Sequence, residues 1–101
     1  MNRPRVIVAD DRRLLREALA ALLESHCDNV GGAADGRELL DIAPALKPDV
    51  VVLEVAMPRL SGLDAGPQLK KVMPHVKLIF LTASDDPDHR RSVAHLPRLG
   101  R

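Results

Sequence analysis

Three carboxylates stand where short apolar runs give out. Asp10 and Asp11 follow "RVIVA" (5–9), and Glu54 closes "VVVL" (50–53) just before a Met-Pro turn. A further run, "VKLIFL", ends in Thr82, Ala83 and Ser84. Runs of this kind read as strands buried on both faces, and functional groups in parallel sheets collect outside the carboxyl ends of the strands. Carboxylates crowded at one such edge repel, and crowding raises a carboxyl pKa. A hard divalent cation that prefers oxygen ligands, Mg²⁺ above all, relieves that conflict. Taken singly, each acid reads first as a helix cap or a solvated loop residue. Only the group points to metal.

Other chemistry finds little support. No G-x-x-x-x-G-K phosphate loop is present, and "VGGAADG" (30–36) reads as a turn, not a dinucleotide fingerprint. Ser61, Ser84 and the histidines at 26, 75, 89 and 95 show neither nucleophile–base nor metal-ligand spacing, and the histidines are expected at the surface. Cys27 is the single cysteine, so an internal disulfide is excluded and a reducing, cytoplasmic setting is expected. The first residues are too short an apolar stretch for a signal peptide or a membrane span. Lys plus Arg is 15 against 14 Asp plus Glu, a balance that calls for no polyanionic partner. Phe80 is the one aromatic residue, which removes base stacking as a route to single strands.

The elements that must position the acids follow from periodicity. After "RVIVA", residues Leu14, Leu15, Ala18, Leu19, Leu22 and Leu23 recur at helical spacing as one apolar face, with Arg12, Arg13, Arg16, Glu17 and Glu24 mostly on the other. Asp11 is placed to cap this helix. "NVGGAADG" (29–36) holds a weak second strand and a turn, and Asp35 caps a second helix that is expected to kink or stop near Pro44. "PDVVVLEV" (48–55) is the strongest strand. A third helix over "LDAGPQLKKV" is expected to begin late, with Pro67 near its first position. A fourth strand is expected over "VKLIFLTAS" (76–84), and "DDPDHRRSVAHL" opens like a fourth helix capped by Asp85 or Asp86. The strict β-α alternation predicts an α/β fold with a parallel sheet and right-handed crossovers.

The stretches "VIVADD", "VVLEVAMPRLSGLDA" and "VKLIFLTASDD" closely resemble receiver domains of bacterial two-component response regulators. "GAADGRELL" and "MPRLSGLDA" look most like the subgroup that carries a LuxR-type helix-turn-helix output domain. The likeness runs from about residue 4 to residue 90. It implies a flavodoxin-like, three-layer fold with strand order 2-1-3-4, in a receiver-like domain over residues 4–96 followed by a tail at 97–101. It also implies that residue 54 is the phosphoacceptor position, that Asp10 and Asp11 with Glu54 and the backbone carbonyl of Ala56 would hold Mg²⁺, and that Thr82 is the switch hydroxyl. Small Ala83 would leave room for a phosphoryl group.

Two departures from the family pattern shape the functional expectation. Glu54 stands where the family has Asp, and its extra methylene pushes the carboxylate into the space kept for the phosphoryl group. Angstrom-scale misplacement can cost phosphoryl transfer about 100-fold. Glu54 therefore reads as an inert acceptor or as a standing imitation of the phosphorylated state, with Mg²⁺ weakly held or lost. The second departure is that no Lys follows Lys77, so the fifth-strand Lys that pairs with the phosphoryl group is expected to be missing, along with the fifth strand itself and an output domain. Strand four would then be a bare edge open to self-association as a homodimer. The expectation is a signalling module, not an enzyme, whose partner is a histidine kinase or another signalling protein, without direct nucleic-acid or membrane binding. The competing readings are a phosphorylation-competent, Mg²⁺-dependent receiver and, third, a Mg²⁺-dependent phosphohydrolase or nucleotide-binding α/β domain.

Overall fold

The computed structural model describes residues 3–82. Ala83, Ser84 and the expected fourth helix lie outside the described residues. Within them the order is β1 (Arg5–Ala9), α1 (Arg13–Leu23), β2 (Asp28–Ala33), α2 (Gly36–Leu46), β3 (Val50–Glu54), α3 (Gly62–Val72) and β4 (Lys77–Leu81). The sheet is parallel throughout, in the order β2-β1-β3-β4. The parallel sheet is the one expected from the alternation, and its strand order is the flavodoxin-like one that the receiver resemblance implied. A register shift between Val6 and Ile7 interrupts the β1–β2 pairing, while β3 pairs with β1 and β4 without a break.

Side-chain parity divides the core into two layers, because successive strand residues face opposite sides of a sheet. Ile7, Ala9, Val51 and Leu53 join Leu39 and Ala43 of α2 and Ala65 and Leu69 of α3 in one buried cluster. Val6, Val8 and Val52 are buried on the opposite side. Helix α1 packs on β1 and β2. Asp10 and Glu54 share the even parity of Val8 and Val52, so they extend the second layer toward the carboxyl edge.

Helix α1 departs from its expected face. None of its residues is buried, and Leu14 and Leu22 are 83% and 74% exposed. Leu15, Leu19 and Leu23 are half-buried, whereas Leu14, Ala18 and Leu22 form an exposed stripe at four-residue spacing. Periodicity marks an apolar arc but not how much of it the sheet can reach. Asp11 does not cap the helix either: the capping position is Arg12, with no side-chain cap, and Asp11 is exposed.

Asp35 does cap α2, its carboxylate accepting from the Glu38 N–H at 2.8 Å, while Glu38 reaches back to the Ala34 N–H at 2.7 Å. The helix does not stop at Pro44. It continues through Leu46 and ends where Lys47 turns left-handed (φ 52°), its N–H bonded to the Ala43 carbonyl. Helix α3 likewise starts early, at Gly62, with Ser61 as its cap, and it carries Pro67 inside instead of near its first position. Both prolines are exposed, so the carbonyl each leaves without a helical donor lies toward water. Gly66, next to Pro67, has a packing reason: a Cβ there would stand 3.0 Å from Phe80 and 3.1 Å from Leu78. Tertiary packing of α3 on β4 outweighs the local break signal.

Candidate functional site

The pairing of β1 with β3 sets Val8 opposite Val52 and Ala9 opposite Leu53. One further step along each strand brings Asp10 beside Glu54 at the carboxyl edge. Both acids are buried, at 0% and 4% exposure. The Asp10 N–H is held by the Ala33 carbonyl at 2.9 Å, and the Val55 N–H by the Leu81 carbonyl at 2.8 Å, so the backbone under the site is tied to strands on both sides. By the register of Glu54 with Leu81, Thr82 lies at the same edge, exposed just beyond β4. Thr82, Asp10 and Glu54 are therefore brought to one end of the sheet, as the sequence implied. His26 and His75 are exposed, and Ser61 serves as a helix cap.

What joins the acids is Arg12, which sequence reasoning had assigned to the solvated side of α1. Its Nε and Nη2 donate to the two oxygens of Asp10 at 3.0 and 2.8 Å, a bidentate pairing. The same Nη2 donates to Glu54 Oε2 at 2.6 Å. Its backbone N–H also donates to Asp10 Oδ1 at 2.9 Å. The second oxygen of Glu54, Oε1, curls back to accept from the Ala56 N–H at 3.3 Å. Arg16 adds a second guanidinium, bonded to the Asp10 backbone carbonyl at 2.7 Å. Asp11 is exposed. The signal that could have found Arg12 was its place: the first residue after the acidic pair, and one of three arginines within five positions.

The electrostatics follow from that bridge. Burial pushes the Asp10 carboxyl up, but the hydrogen bonds from the Arg12 side chain and backbone, with the attraction of Arg12 and Arg16, outweigh it and hold it below the ordinary carboxylate range. This is the opposite of the rise expected for crowded acids. On Arg12, the hydrogen bond to Asp10 is the leading cause of a raised pKa; burial opposes it, and the charges of Asp10, Glu54 and Asp11 add to it.

A depressed folded pKa adds stability above the unfolded value, near 3.9, that is lost as pH falls through the folded value. Wild type is thus expected to exceed Asp10→Asn in stability at pH 7, with the gap closing in acid. Because the Arg12 side chain is 42% exposed, solvent screening keeps the gap to about 1 kcal/mol. Urea melts of both proteins across pH check this; a gap that widens in acid would contradict it.

The resemblance to receiver domains implies Mg²⁺ at this acidic pocket, whereas in the structure Arg12 bridges the two acids. All four carboxylate oxygens of Asp10 and Glu54 already accept from N–H donors. No three His, Cys, Asp or Glu among the described residues are grouped so that they could hold a metal ion.

The loop after Glu54 is shaped to close over β3. Leu60 N–H reaches the Pro58 carbonyl at 2.7 Å around Arg59, whose φ is +65°, the geometry of a tight three-residue turn. The turn is anchored by Gly36 N–H to the Leu60 carbonyl, Gly62 N–H to the Val55 carbonyl (both 2.9 Å) and an Arg59–Asp35 ion pair at 3.3 Å.

A parallel sheet of order 2-1-3-4 with buried acids at the carboxyl ends of β1 and β3 defines a flavodoxin-like α/β fold. Residues 6–96 match the family model described as the response regulator receiver domain, and the chain belongs to that family. It is 34% identical over 87 residues to the transcriptional regulatory protein YxjL of Bacillus subtilis, covering 84% of this chain and 40% of that protein. It is 42% identical over 86 residues to the response regulator MprA of Mycolicibacterium vanbaalenii, covering 85% and 37%. The chain thus spans about two-fifths of the length of these relatives. Among solved structures, the response regulator domain of Thermotoga maritima CheB superposes with a TM-score of 0.81 at 27% identity, covering 97% of this chain and 75% of that one. The RcsB response regulator of Salmonella typhimurium gives 0.83 at 26%, covering 97% and 52%. No helix among the described residues is long and apolar enough to cross a membrane.

Proposed function

We propose that this chain is a receiver module of a two-component system that works through protein contacts, with Glu54 held in an ion pair instead of accepting a phosphoryl group. One observation carries the reading: both oxygens of a carboxylate only 5% exposed are engaged, one by Arg12 at 2.6 Å and one by the Ala56 N–H at 3.3 Å. An acceptor must present a lone pair in line with the phosphorus, and the protein's contribution to such transfer is almost entirely positioning and charge stabilisation. A carboxylate folded back onto its own loop and neutralised by a guanidinium offers neither. The Arg12 ion pair forms without a phosphodonor, so the site stays in one state where a phosphorylated Asp would switch between two. Thr82 at the same edge is the residue through which that state would be coupled to the outer surface. A histidine kinase or another signalling protein is the partner class, and contact between copies along β4, the outermost strand beyond β3 among the described residues, is the route to a homodimer.

Incubation with acetyl phosphate and MgCl₂ followed by intact-mass measurement tests the reading. The expected result is no mass gain. A stable gain of one phosphoryl group that disappears in Glu54→Ala would establish the competing, phosphorylation-competent receiver.

A further inference from the structure

The cation that two buried carboxylates require is already in the chain. We infer that Arg12 is the resident cation of this site, its guanidinium occupying the position between Asp10 and Glu54 that a divalent ion would need, so that the site works without metal. This inference rests on the reading of Glu54 given above and assigns the residue that holds it.

The geometry carries it in three ways. The planar guanidinium spans both acids, with Nε and Nη2 on Asp10 at 3.0 and 2.8 Å and Nη2 on Glu54 at 2.6 Å. Mg²⁺ demands near-ideal octahedral oxygen geometry at about 2.0–2.1 Å. Bound between the same carboxylates, it would sit against the positive guanidinium that already bridges Asp10 and Glu54, a repulsion relieved by displacing Arg12. The charge sum argues the same way. Two buried carboxylates are offset by the Arg12 guanidinium between them and by Arg16 on the Asp10 backbone carbonyl, which leaves the exposed Asp11 as the one uncompensated acid of the three to attract a divalent ion. Finally, the ligand that would have made a third carboxylate, Asp11, is exposed and lies outside any such group.

A guanidinium also differs from a metal in what it permits. It cannot leave when the metal supply falls, and it stays charged at every physiological pH. The arrangement therefore makes the state of the site independent of metal and phosphodonor alike, and Arg12 acts as a positioning residue for Glu54.

Titration of the full chain with Mn²⁺, followed by water-proton relaxation and by calorimetry, tests the assignment. Wild type is expected to show no saturable site, and its melting temperature to be the same in EDTA and in MgCl₂. Arg12→Ala removes the bridging charge and exposes the acids, so Mn²⁺ affinity is expected to rise at least about tenfold. Adding Asp10→Asn to that variant should abolish the gain. Arg12→Gln, which keeps a polar side chain and part of the methylene stem without the charge, gives the same comparison if the alanine variant does not fold. Saturable Mn²⁺ binding by wild type that neither Arg12 variant tightens would overturn the inference. The two proposals fail separately: phosphoryl uptake by a wild type with no saturable Mn²⁺ site removes the reading of Glu54 alone, and saturable Mn²⁺ binding that neither Arg12 variant tightens, without phosphoryl uptake, removes the role of Arg12 alone.

Discussion

Gly62→Ala is expected to destabilise the protein by about 3 kcal/mol or more and to lower its melting temperature by more than about 10 °C. A Cβ at this position would stand 2.2 Å from the Glu54 carbonyl oxygen and 3.0 Å from its carbonyl carbon. Both are backbone atoms of the strand that pairs with β1 on one side and β4 on the other, so neither can move cheaply. The alternative is to lift the start of α3, which breaks the Gly62 N–H bond to the Val55 carbonyl. Either response disturbs Glu54, which makes Gly62 a determinant of the site as well as of the fold. Gly66→Ala is the control. Its Cβ would meet only the ends of the Phe80 and Leu78 side chains, which can yield, so its effect should be clearly smaller. Thermal melts by circular dichroism decide the matter: equal effects at the two positions would mean that the backbone contact at Gly62 is not what matters.

Leu53→Ala should cost about 2–5 kcal/mol. Leu53 is 0% exposed, on the central strand, with Ala9 and Phe80 as its cross-strand partners. Its side chain belongs to the layer shared by α2 and α3, so truncation opens a void between the sheet and two helices that are themselves anchored elsewhere. Small domains have only about 5–15 kcal/mol in all. The substitution therefore removes a large share of stability, and because Glu54 is the next residue, it also loosens the acid's mount. A fall in the urea midpoint without a change in slope is the expected signature. An unchanged midpoint would contradict the placement of Leu53 in the core.

Much of this architecture was legible locally. The alternation of apolar runs with helical spacing yields the element order, and strand parity already puts Asp10 and Glu54 on the same side once β1 and β3 are neighbours. Asp35 could be read as a cap because capping involves only the next three residues. The prolines misled for the converse reason. Pro44 and Pro67 carry a local break signal, yet both face solvent, and helices α2 and α3 are held by Leu39, Ala43, Ala65 and Leu69 against the sheet.

The amino-acid sequence by itself determined the alternating β-α order, the acids at the strand ends and the Glu at position 54, because each is written in residue type and short-range spacing. Only the tertiary structure decided what Glu54 does. Arg12 and Glu54 are 42 residues apart, and nothing in the periodicity of α1 says that one of its leading arginines folds inward. That choice exists only after β1 and β3 pair and set two buried carboxylates side by side. Burial then makes an unpaired charge too costly to leave, and the nearest guanidinium answers it.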